Sequence, residues 1–180
     1  MWHEQKGVSL TLESREEASK QLQIIKGLVG QLDLKYQDIR PSPLGLGIGI
    51  AWSQTRFVVL SVPLTATLAF ITGGVLRDID QDRLTALTLC NTRNQGTTAY
   101  PFFLHDADSG WDILVQQTHP IQLLLDVPQF FSACLRAVPE VAEEAQDEFW
   151  KAILGVDHIT GIWRMLSVCC SGAWRELGKG

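Results

Sequence analysis

The stretch DQDRLTALTLCNTRN (80–94), TTAYPFFLHD (97–106) and GWDILVQQ (110–117) decides the fold. Its first part has helical spacing, with Leu84, Leu87 and Asn91 on one face and Cys90 beside them. Asp80 is placed to cap the amino end, and Asp82 adds negative charge to the first turn. Asn94-Gln95-Gly96 supplies a stop, with Gly96 suited to the left-handed position after a helix. An extended run then begins at Ala99, Phe102 and Leu104. Asp106-Ala107-Asp108-Ser109-Gly110 reads as a hairpin loop. After it Trp111, Ile113 and Val115 alternate with Asp112, Leu114 and Gln116, the period of a strand. Both strands need an apolar helix face against them, and Leu87 is expected in that core.

Working outward, Ser14-Arg15-Glu16-Glu17 reads as a capping box. Ala18, Leu22, Ile25, Val29 and Leu32 continue it as a core-facing helix over 15–32. Pro41 and Pro43 make 35–43 a connection. Leu44-Gly45-Leu46-Gly47-Ile48-Gly49-Ile50 alternates apolar residues with glycine, a strand with one bare face. Residues 56–62 are nearly all apolar, which predicts a strand buried on both faces. A third strand over 67–76 is expected to break near Gly73-Gly74. Downstream, Pro120 ends the hairpin strand. Asp126-Val127-Pro128 starts a helix whose stripe is Phe130, Phe131, Cys134, Leu135 and Val138. Pro139 ends or kinks it, and Val141, Ala142, Ala145, Phe149 and Ile153 renew it. Ile159, Ile162, Trp163, Leu166 and Cys170 suit a last helix over 158–177 that docks on its own sheet or on a second subunit.

The expected architecture is α+β: an antiparallel sheet of about five strands with helices on one face, in the order α-β-β-β-α-β-β-α. It divides into a lead-in (1–13), the α+β domain (14–154) and an amphipathic helical extension (155–180). No period of 20–50 residues recurs, so repeat architectures are set aside.

Composition narrows the function. Hydrophobic residues make up 46% and charged residues 19%, enough for a core. A net charge of −5 without a Lys/Arg cluster argues against a nucleic-acid partner. The apolar runs are too short and too interrupted for a membrane span. None of Cys90, Cys134, Cys169 and Cys170 forms a C-x-x-C pair, and free thiols fit a reducing cytoplasm.

Motifs that invite chemistry fall short of it. Gly45, Gly47 and Gly49 lack the spacing and the following helix of a dinucleotide loop. Asp78, Asp80 and Asp82 begin like a calcium loop, but Arg83 and Leu89 stand where it needs Gly and Glu. His105, Asp106 and Asp108 are read as turn chemistry. No nucleophile elbow accompanies them. No cofactor or metal is expected.

The helix Leu84–Asn91 with its Asn-containing end, Phe102-Phe103-Leu104 followed by acidic residues, and Trp111-Asp112-Ile113-Leu114-Val115 resemble the YbjN family. That family shares its fold with type III secretion chaperones. Phe130 and Phe149 fit its closing helices, and the resemblance spans 15–153. It implies a non-enzymatic protein- or peptide-binding module, with a homodimer as the expected assembly. The partner segment would dock on a sheet edge or an apolar sheet face. Phe103 and Leu114, and in the tail Ile162, Trp163 and Leu166, are the candidate contacts. Two alternatives stand beside it: a small-molecule enzyme using His105, Asp106 or Asp108, and a structural subunit of a larger assembly.

Overall fold

The computed structural model describes residues 12–155, except 43, 54, 55, 66, 81, 97, 98, 108 and 109. The expected lead-in and tail helix therefore lie outside the described residues, the lead-in apart from its last two. The elements are α1 (Leu12–Gln31), β1 (Lys35–Asp38), β2 (Gly45–Ala51), β3 (Phe57–Pro63), β4 (Leu68–Ile79), α2 (Arg83–Gly96), β5 (Phe102–Ala107), β6 (Gly110–Pro120), α3 (Ile121–Asp126) and α4 (Pro128–Leu154). The strands form one sheet in the order β1-β2-β3-β4-β6-β5. The β1–β2, β2–β3, β3–β4 and β5–β6 pairs are antiparallel. The α+β class holds, with six strands among the described residues rather than about five.

Contacts divide the chain into two units: residues up to Gly73 with Gln116–Pro139, and Gly74–Val115 with the residues from Glu140. In the first, α1 buries Ala18, Leu22, Ile25 and Val29 as its spacing predicts, and packs on β2 and β3. It starts before Ser14, so Ser14 is a helical residue and not the cap, and Leu32 falls just past its end. Ile48 and Ile50 of β2 meet Leu60 and Val58 of β3 across the ladder, and all four are fully buried. β3 is buried on one face only: Val58, Leu60 and Val62 are enclosed while Phe57 is exposed. Gly73 stands opposite Val58 in the β3–β4 ladder, so the glycine pair does not break β4. β1 lies in the stretch expected to be a connection from Pro41 and Pro43; all four of its side chains are exposed, which leaves no alternation in the sequence to mark the strand.

In the second unit α2 begins after Asp82, whose Oδ1 accepts the Thr85 N–H at 3.1 Å, so Asp82 and not Asp80 is the cap. Hydrogen bonds from the Thr85 side chain and backbone hold the Asp82 carboxyl below its ordinary value. The buried face of α2 is Ala86 and Cys90, while Leu84 and Leu87 are exposed. Small residues face inward because α2 packs closely on β5. Gly96 ends the helix without a left-handed turn. Phe102 stacks on Phe149 of α4 with centroids 5.7 Å apart. The Arg93 guanidinium lies 5.5 Å from the Phe102 ring and pairs with Glu148.

Two further corrections concern the closing helices. Ile121–Asp126 forms α3, missed because it follows Pro120 without a cap, and Asp126 ends it instead of capping α4. α4 runs through Pro139 without a break.

Candidate functional site

β1 is one end of the sheet order, so among the described residues one side of its backbone has no neighbouring strand. Ile39 N–H bonds the Gly47 carbonyl at 3.1 Å. The antiparallel ladder alternates, so Lys35 and Gln37 turn their backbone groups toward β2. Tyr36 and Asp38 turn theirs outward, where an added strand would bond.

The two faces of this edge differ. On one, Lys26 of α1 pairs with Asp38 at 2.6 Å, its Nζ 5.9 Å from the Tyr36 ring centroid. On the other, Lys35, Ala51 and Phe57 stand in one row across three strands, and Gln37 sits opposite Gly49 in the next. A shallow hollow of about 120 Å³ lies there, lined by Lys35, Tyr36, Gln37, Gly49, Ala51 and Phe57. Its floor is low because Gly49 and Ala51 have almost no side chain. A Cβ on Gly49 would meet nothing nearer than Gln37 Cγ at 3.8 Å. The sequence shows the bare glycine face of β2 but no pattern for the strand beside it, so the edge is legible only in the structure.

Phe103 and Leu114 are directly opposed in the β5–β6 ladder and both are half-buried. They lie on the face opposite Phe102, which α4 covers. The structure therefore brings this pair together. Ile162, Trp163 and Leu166 lie outside the described residues.

The loop that invited catalysis is rearranged. β5 extends through Asp106 and Ala107, and Ala107 pairs with Gly110, so the turn is shorter than expected. His105 and Asp106 are consecutive strand residues and point to opposite faces. Asp106 pairs with Arg83 at 2.8 Å. His105 stands opposite Asp112, whose Oδ1 accepts the Asp78 N–H at 2.9 Å. Asp108 lies outside the described residues. Gly110 is required by closeness: a Cβ there would stand 2.5 Å from the Ile79 carbonyl oxygen.

The fold is YbjN-like. YbjN from E. coli matches with a TM-score of 0.50 at 12% identity, over 69% of this chain and 89% of that one. The ExsC–ExsE complex gives a TM-score of 0.48 at 14% identity, over 72% of this chain and 92% of the other. No family model and no curated protein matches the sequence. The likeness to YbjN is one of fold alone. It bears out the family resemblance read from the α2–β6 stretch at that level.

Cys90 and Cys134 are free and buried, as their places on apolar helix faces predict. Burial pushes the Cys90 thiol up to about 11 and raises that of Cys134. His119, edge-on to Phe130 with ring centroids 5.1 Å apart, is held below its ordinary value by burial. Among the described residues no helix is long and apolar enough to cross a membrane.

Proposed function

We propose that this chain is a protein-binding module that holds an extended partner segment along the edge of its sheet. The open backbone of β1 carries the reading. Tyr36 and Asp38 offer outward donors and acceptors on a strand whose four residues are all exposed. A strand added there gains main-chain bonds, and the hollow over Gly49 takes a side chain. Phe103 and Leu114 form a second contact patch, on the sheet face opposite Phe102. The reading requires no bond-making step, and the opposite orientations of His105 and Asp106 disfavour the enzyme alternative.

The test uses a permanently unfolded model protein, reduced and carboxymethylated lactalbumin, with binding followed by fluorescence anisotropy. Tyr36→Pro removes an outward N–H without removing a β1–β2 bond. Tyr36→Thr keeps that N–H and serves as the control. Wild type and Tyr36→Thr should bind, and Tyr36→Pro should not. Equal binding by all three, or none by the wild type, rules the edge out.

We also assign the expected homodimer to α2. Leu84 is 75% and Leu87 46% exposed. They share an outward face with the uncharged Thr88 and Asn91. A face without formal charge can meet its own copy without like-charge repulsion in a chain of net charge −5. Sedimentation should give a dimer that Leu84→Glu dissociates. A monomeric wild type would remove the assignment.

A further inference from the structure

Building on the open-edge binding proposed above, we infer that β1 selects an extended segment carrying a carboxylate and a bulky apolar side chain two residues apart. A strand added to β1 lies about 4.8 Å from it and places alternate side chains on one face. On the hollow's face one of these stands beside Lys35. The next, two residues along, stands beside Gln37.

Lys35 is exposed and has no ion-pair partner among the described residues. A nearby cation, Lys26, is already held by Asp38 on the opposite face. An acidic side chain beside Lys35 is therefore favoured, and a basic one disfavoured. Charges elsewhere on this acidic chain act more weakly, because salt screens them beyond roughly 8 Å. The side chain beside Gln37 meets the open floor of Gly49 and Ala51, walled by Phe57, which is 52% exposed. A long apolar group there covers Phe57, whereas a short one leaves it in water.

A second copy of this chain fits the edge less well. A two-fold axis between antiparallel edge strands keeps like faces together. Lys35 would then meet Gln37 or Ile39 of the copy and never Asp38. Its charge would stay unmatched.

The probe is a fluorescein-labelled strand peptide of repeating Thr-Leu-Thr-Glu, with a counterpart carrying lysine at each glutamate. Binding to the full chain is read by anisotropy. The glutamate peptide should bind about fivefold tighter or more, the scale of an exposed charge pair. Lys35→Glu should reverse that order. Phe57→Ser should weaken both peptides and leave their ratio unchanged. If both peptides bind equally and Tyr36→Pro abolishes both, the edge binds strands but the charge selection is wrong. If neither binds at about 1 mM, the selection and the edge reading fall together. A Lys35→Glu effect on sedimentation alone would place a second copy on this edge and overturn the inference.

Discussion

Asn94 and Phe102 exchange two hydrogen bonds, Asn94 Nδ2 donating to the Phe102 carbonyl and Phe102 N–H donating to Asn94 Oδ1, both at 2.8 Å. The amide of Asn94 thus acts as a short strand partner at the point where the chain enters β5. It ties the end of α2 to the residue that stacks on Phe149. Asn94→Ala should destabilise the protein by about 1–3 kcal/mol, because it leaves two part-buried backbone groups unsatisfied. Asn94→Asp should come close to that loss, since a carboxylate accepts but cannot donate to the carbonyl. Urea denaturation measures both, and an Asp variant as stable as wild type would contradict the two-bond account.

Leu87→Ala should cost less than about 1 kcal/mol, because the side chain is 46% exposed. Leu135→Ala, at a fully buried position of α4, should cost about 2–5 kcal/mol. The two melting temperatures make the comparison direct. Both are measured in the Leu84→Glu background, which removes the proposed α2 dimer, so a larger loss at Leu87 would mean that its side chain belongs to the core.

Cys90 gives a test at alkaline pH. Its thiol is raised from 9.0 to about 11 in the folded protein. The folded state therefore favours the neutral thiol. Its contribution to stability is complete below about pH 9, falls as the unfolded thiol ionises, and is lost by about pH 11. Cys90→Ala should flatten the stability curve across that window relative to wild type. Native Cys90 should also resist alkylation until urea unfolds the chain, which mass mapping of the modified residue would follow.

His119 acts in the opposite direction of pH. Burial lowers its titration below 6.5, so the folded state favours the neutral ring. Its contribution is present above about pH 6.5 and is lost as the pH falls through the lower folded value. His119→Phe keeps a ring against Phe130 but cannot take a proton. The variant should lose less stability than wild type between pH 6.5 and the acid transition. Parallel curves would show that His119 is neutral to folding there.

Periodicity in the sequence determined much of this protein. The stripe of α1, the alternation of Trp111, Ile113 and Val115, and the inward residues Phe131, Leu135 and Val138 all follow from it. Such patterns are legible because one buried face forces apolar residues to recur at 3.6 or 2 positions. Where that constraint is absent, only the tertiary structure decided. β1 carries no pattern because all four of its side chains are exposed, yet it forms the edge proposed to bind. Leu84 and Leu87 look like core from their spacing, but close packing on β5 turned Ala86 and Cys90 inward instead. Asp80 is the cap that the sequence suggests for α2. In the structure Asp82 takes that place instead, with its backbone left-handed at φ 42° and its carboxylate accepting the Thr85 N–H. The meeting of Phe103 with Leu114, and of Lys35 with Ala51 and Phe57, depends on strand register, which couples residues far apart in the chain.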